Sequence, residues 1–313
     1  MSVLLFPGQG SQLIGMGAEF HNNFNLVKNF FREADEKLQF PISKIILEGP
    51  EDQLQLTKNT QPAILTVSYS IFQVLKKEFN FNFETFKYFA GHSLGEYCAL
   101  VCAGSLEFSD AIYLLHERGK AMQTAVPVGA GQMIAVLGIK FEELNNLIVS
   151  SNLDNGICEI ANDNADGQII ISGDKKSVEK FQDILKEKKI KTIPLKVSAP
   201  FHCKLMKSSA DVMSSKINNT TFKKPSLEII SNVTASPVSE SEKIKKLLIE
   251  QIYSTVKWRE SLINMSKMGI INFIEIGPGK VLTGMVKRTL KKVNCFSINS
   301  IADIKNLQNE LQK

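Results

Sequence analysis

Short apolar runs alternate along the chain with longer stretches in which apolar side chains recur every three or four positions. The runs predict buried strands, and the stretches predict amphipathic helices. Ser2 to Phe6 is a run stopped by Pro7-Gly8, a strand feeding a glycine-rich loop. Helical spacing holds over 24–38 and 60–78, the second with Thr60 as N-cap and Pro62 in the first turn, where its missing N–H costs little. Tyr88-Phe89-Ala90 reads as a strand running into Gly91-His92-Ser93-Leu94-Gly95, then a helix from Glu96 to Cys102 and another over 108–125.

The middle of the chain changes character. Strands are expected at 132–139, 157–161, 168–172 and 190–197, helices at 141–150 and 174–189, and a turn at Asn162-Asp163-Asn164-Ala165-Asp166-Gly167. That β-α-β-β-α-β order predicts a ferredoxin-like subdomain inserted at 130–197. Helices at 203–217, 240–252, 257–268, 280–290 and 303–311 then alternate with strands at 227–231, 271–276 and 295–298. The fold class is α/β, with residues 1–129 and 198–313 forming one core whose sheet is covered by helices.

Composition narrows the class. With 313 residues, 43% hydrophobic and 22% charged, the chain is not of the disordered type, and its length suffices to bury a core without staples. There are 37 Lys and Arg against 32 Asp and Glu, a net charge of +5. The densest basic cluster, Lys186, Lys188, Lys189 and Lys191, reads as a solvated helix end, not a nucleic-acid stripe. A mildly positive surface suits an acidic protein partner. The five cysteines are odd in number and contain no C-x-x-C, which fits a reducing compartment. The N-terminus has no basic signal region and no apolar run reaches the roughly 20 residues of a membrane span, so a soluble, cytoplasmic protein is expected.

Gly91-His92-Ser93-Leu94-Gly95 is the strongest chemical signal. It fits G-x-S-x-G between a strand and a helix, the nucleophile elbow, where flanking glycines permit a turn too tight for a Cβ. The competing reading is a capping box, Ser93-x-x-Glu96. A serine needs a base. Of the four histidines, His21 lies in a polar stretch, His92 adjoins the serine in the elbow and His116 lies within a helix. His202, in Ser198-Ala199-Pro200-Phe201-His202-Cys203 between a strand and a helix start, is the strongest base by elimination. No Asp or Glu stands at a convincing strand end between Ser93 and His202, which points to a neutral orienting group. Gly8-Gln9-Gly10 lacks the spacing of a phosphate loop or a dinucleotide fingerprint, and reads either as an ordinary turn or as a donor loop beside the Leu94 N–H.

Taken together these stretches resemble the malonyl-CoA:acyl carrier protein transacylases of bacterial fatty acid synthesis, essentially end to end. The landmarks are FPGQGSQ (6–12), NTQPAIL (59–65), GHSLGEY (91–97), ERGKAMQ (117–123), APFHCKLM (199–206), SNVTASPV (231–238), QIYSTVKW (251–258) and EIGPGKVLTGMVKR (275–288). The resemblance implies a large hydrolase-like or patatin-like core with a parallel sheet plus the ferredoxin-like insert. It implies Ser93 as nucleophile, His202 as base, the Gln9 and Leu94 N–H groups as oxyanion hole, and Arg118 as the fork for a malonyl carboxylate. It places Gln251 near the histidine as a neutral partner, in the substrate-binding set. Phe201 resembles the malonyl-type pattern, its ring crowding an α-methyl group, although many members carry a smaller residue there. Malonyl-CoA and acyl carrier protein are the implied partners, with coenzyme A thioester as substrate, no cofactor, no metal and a monomeric chain. The alternatives are an acyltransferase of a polyketide pathway, or a serine esterase or thioesterase using the same elbow.

Overall fold

The computed structural model describes residues 1–311 except 152, 154, 155, 196 and 198. Its strands are β1 (Ser2–Phe6), β2 (Phe86–Gly91), β3 (Gly131–Leu137), β4 (Cys158–Ala165), β5 (Gln168–Asp174), β6 (Lys191–Pro194), β7 (Glu228–Ile230), β8 (Pro237–Val238), β9 (Asn272–Ile276) and β10 (Asn294–Ile298). Six of them form one sheet in the order β10-β9-β1-β2-β7-β8, parallel throughout except for β8. Parallel strands need crossovers, and helices supply them, so both faces of the sheet are covered. Successive residues of β1 serve opposite faces. Leu4 and Phe6 enter one apolar cluster with Phe89, while Val3 and Leu5 enter another with Tyr88, Trp258 and Leu262.

The register of β1 and β2 positions the site. Phe6 pairs with Gly91, so the loops after the two strands leave the sheet side by side at its carboxyl edge. That edge is where open α/β sheets bind ligands.

The second sheet has the order β4-β5-β3-β6 and is antiparallel throughout. Helices Phe141–Ser150 and Lys175–Glu187 pack on it through Leu144, Val178, Phe181 and Leu185. Asp174 caps the second helix, accepting from the Ser177 N–H at 2.9 Å.

Three local expectations are corrected. The turn expected at 162–167 is strand as far as Ala165, with register irregularities between Ile160 and Asn162 and between Asp163 and Ala165. Those bulges aim Asn162 and Asn164 into a cavity, which explains polar residues in a strand. The helix expected from residue 60 begins a turn earlier, as Thr57–Lys77 with Leu56 as N-cap. Thr60 is therefore interior, donating to the Leu54 carbonyl at 2.6 Å, and Pro62 lies inside the helix. Pro62 leaves the Lys58 carbonyl without its helical donor, and His116 Nδ1 donates to it at 2.9 Å instead. The strand expected over 190–197 ends at Pro194; Lys196 and Ser198 lie outside the described residues.

Candidate active site

β2 ends at Gly91 and helix Leu94–Cys102 starts two residues beyond His92, so the chain reverses within His92-Ser93. Ser93 has φ 53°, a value rare outside glycine. Contact explains both glycines. A Cβ on Gly91 would lie 2.0 Å from the Gly95 carbonyl, and one on Gly95 would lie 2.2 Å from the Phe6 oxygen. Asn232 clamps the turn from the side: the Ser93 N–H donates to its Oδ1 at 2.7 Å, and its Nδ2 donates to the Gly91 carbonyl at 2.7 Å. The capping-box reading does not apply, because the Ser93 side chain makes no cap hydrogen bond.

The serine hydroxyl instead faces His202, with Oγ 2.8 Å from Nε2. His202 Nδ1 lies 2.8 Å from the Gln251 main-chain oxygen. A carbonyl can only accept, so the ring proton sits on Nδ1 and the Nε2 lone pair is left for the serine proton. Burial, reinforced by the Arg118 charge, lowers the imidazole to about 3. His202 is therefore neutral and ready to accept a proton near neutral pH. The orienting group is uncharged, as the absence of a suitable carboxylate in the sequence suggested, and it is backbone.

Arg118 is 1% exposed. Its Nη1 donates to Gln61 Oε1 at 2.8 Å, and its Nη2 donates to Gln251 Oε1 at 2.9 Å and to Ser93 Oγ at 3.1 Å. The guanidinium carbon lies 5.8 Å from the Tyr97 ring centroid, and Nε has no partner among the described residues. These hydrogen-bond acceptors are all uncharged oxygens. A buried cation with an unpartnered donor, bordering a cavity beside a serine hydroxyl, has the chemistry to take an incoming carboxylate.

The cavity measures about 390 Å³ and is lined by Gln9, Ser93, Leu94, Arg118, Phe201 and His202 together with residues of the second sheet, among them Met133, Asn162 and Asn164. Leu94 opens its helix, where N–H groups lack internal acceptors. Gln9 is fixed in the loop after β1 by Thr57, whose Oγ1 donates to Gln9 Oε1 at 2.5 Å. Gln251 stands beside His202 as a neutral partner, through its main-chain oxygen, but its side chain does not take the expected place against substrate. It is fully buried and does not border the cavity. Its side chain accepts from Arg118 and so supports the arginine.

The remaining histidines have other partners. His92 Nε2 lies 2.8 Å from Asn164 Oδ1, and its ring packs edge-on to Trp258 with centroids 5.5 Å apart. His116 is tied to the Lys58 carbonyl. Four supporting residues escaped the sequence reading: Gln61, Glu96, Asn164 and Asn232. Gln61 and Asn232 sit within stretches recognisable only as whole motifs, Glu96 read as a capping residue, and Asn164 was hidden in the apparent turn.

Comparison with known proteins agrees with this geometry. The model of the acyl transferase domain family matches residues 3–312. A malonyl CoA-acyl carrier protein transacylase of Bacillus subtilis is 43% identical over 296 residues, 94% of this chain and 92% of that protein. One of Haemophilus influenzae is 38% identical over 301 residues, 96% of this chain and 95% of its own length. The crystal structure of an acyl-carrier-protein-S-malonyltransferase from Bartonella henselae superposes with a TM-score of 0.95 at 40% identity, covering 100% of this chain and 99% of that one. A malonyl-transacylase in complex with its type II PKS acyl-carrier protein superposes with a TM-score of 0.93 at 36% identity, covering 98% and 99%. A strained serine on an elbow, a backbone-oriented histidine and a buried arginine beside them thus occur in a chain that belongs to the acyl transferase domain family, among the malonyl CoA-acyl carrier protein transacylases.

Proposed function

We propose that this protein transfers the malonyl group of malonyl-CoA to the phosphopantetheine thiol of acyl carrier protein through a malonyl ester on Ser93. His202 Nε2 takes the serine proton as Oγ attacks the thioester carbonyl. The N–H groups of Gln9 and Leu94 receive the developing oxyanion. The C–S bond breaks, coenzyme A leaves with the proton from His202, and the ester remains. The carrier thiol then gives its proton to His202, attacks the ester and restores Ser93, completing a ping-pong cycle. Coenzyme A enters as part of the substrate, and the reading calls for no resident cofactor.

The observation that carries this reading is Arg118, buried, cationic and held by uncharged oxygens, with Nη2 3.1 Å from Ser93 Oγ. An esterase of neutral substrates has no use for it, and a malonyl carboxylate does. Phe201 borders the same cavity and is read as crowding an α-methyl substituent. The second sheet's order, β4-β5-β3-β6, supports reading 130–197 as a ferredoxin-like insert in a hydrolase-like core of 1–129 and 198–313. No described helix is long and apolar enough to cross a membrane, in keeping with work in the cytoplasm. A carrier of the type II PKS kind is a second reading, favoured by the complex of the related transacylase.

The test is acyl selectivity. Arg118→Ala is expected to lose about a hundredfold in malonylation while acetylation from acetyl-CoA falls far less, since a charged hydrogen-bonded contact is removed only from the dicarboxylic donor. An unchanged malonyl-to-acetyl preference contradicts the assignment.

A further inference from the structure

Glu96 is a buried carboxylate that the mechanism above leaves without a task. It lies in the first turn of helix Leu94–Cys102 and is 2% exposed. Its Oε2 accepts from Gln251 Nε2 at 2.7 Å and from the Asn232 N–H at 3.1 Å. Gln251 Oε1 in turn accepts from Arg118 Nη2 at 2.9 Å. The three side chains therefore form a polarised chain, carboxylate to amide to guanidinium.

We propose that Glu96 is a positioning residue for substrate selection: its acceptor-only carboxylate fixes which end of the Gln251 amide faces Arg118, and so holds the guanidinium where it meets the malonyl carboxylate. An amide rotated by half a turn presents –NH₂ to either neighbour. Against a guanidinium that end repels, and against a carboxylate it bonds. An ionised Glu96 accepts only, so one rotamer alone satisfies both ends of the chain. The same carboxylate holds Asn232, whose side chain clamps Ser93 and Gly91. The inference rests on the malonyl-transfer reading and adds a residue to it.

The constraint depends on Glu96 being ionised, and burial pushes its carboxyl up to about 7. The titratable groups around it do not share that range. His202 is lowered to about 3, His92 is lowered by burial, Tyr97 on its own helix is raised to about 12, and Arg118, although lowered by burial, starts far above that range.

Glu96→Gln keeps the volume and removes the acceptor-only state. The experiment measures kcat and KM for malonyl-CoA and acetyl-CoA in the wild type and in Glu96→Gln, with thermal melts as a check on folding. The expected result is a malonyl KM raised about tenfold more than the acetyl KM, with whatever loss passes through the Asn232 clamp shared by both donors. In the wild type the malonyl-to-acetyl ratio is expected to rise with pH through about 7, and this requires no variant to fold. A Glu96→Gln protein with an unchanged or lower malonyl KM, or with both donors impaired alike, overturns the proposal, as does a flat wild-type ratio. A wild type that never forms a malonyl ester on Ser93 fails the functional reading itself, a separate outcome visible in the same assay.

Discussion

At the scale of single residues, the chemistry is set by what each polar atom is denied. Ser93 Oγ is denied a helix cap and finds His202 Nε2. His202 is denied solvent and a carboxylate, and its Nδ1 settles on a backbone carbonyl. The cost of this arrangement has a sign. The unfolded chain takes up a proton on this histidine at about 6.5 and the folded chain only at about 3, so between those values the unfolded state holds more protons. Stability is therefore expected to fall as pH is lowered through that window. Denaturation series in wild type and His202→Gln check it: the variant's acid loss should be smaller, and equal slopes contradict the burial of a neutral imidazole. For the same reason, acylation by an uncharged donor should keep its rate down through the ordinary histidine range.

At the scale of elements, two close approaches build the site. The first is elbow against β1, where Gly95 passes the Phe6 oxygen with no space for a Cβ. Gly95→Ala is expected to cost about 3 kcal/mol or more, measured by chemical denaturation, because the obstacle is backbone. A near-neutral result contradicts the contact. The second is helix Thr57–Lys77 against helix Phe108–Thr124. A Cβ on Gly119 would lie 2.4 Å from the Lys58 Cα, and next door His116 fills the hydrogen bond that Pro62 cannot make. That proximity is what brings Gln61 to Arg118. The sequence made the elbow legible because its glycines have a local cause at fixed spacing. It hid the second approach because Pro62 and His116, 54 positions apart, explain each other only in the fold; read locally, Pro62 had to belong to a first turn. Asn162 to Gly167 misled for the same reason, since polar residues between strands usually mean a turn, and here Asn162 and Asn164 line a cavity while Asp163 meets Arg259 Nε at 2.9 and 3.0 Å.

At the scale of the whole molecule, the region 130–197 does more than ride on the core. It supplies one wall of the cavity, and it is tied to the core beside the site by His92 with Asn164 and by Arg259 with Asp163. The succession of strands and helices along this region could be anticipated from periodicity, whereas its contribution to the cavity could not, because that depends on how two sheets meet. The net charge of +5 acquires a use in this setting, as an acidic carrier protein would be drawn towards a basic surface. Lys280 is exposed and neighbours Val281 at the cavity wall, so reversal of its charge tests that attraction. Lys204, the other lysine near the site, is instead engaged with Glu159 at 3.0 Å.

The proposed reaction turns on a covalent malonyl group on Ser93 that is handed to a carrier thiol. Intact-mass measurement of the protein after mixing with malonyl-CoA, before and after addition of holo acyl carrier protein, tests it most directly. The account predicts one added malonyl group on the wild type and none on Ser93→Ala, with loss of that mass and its appearance on the carrier once the carrier is added. A malonylated Ser93→Ala protein, or a wild type that never gains the mass, would contradict it.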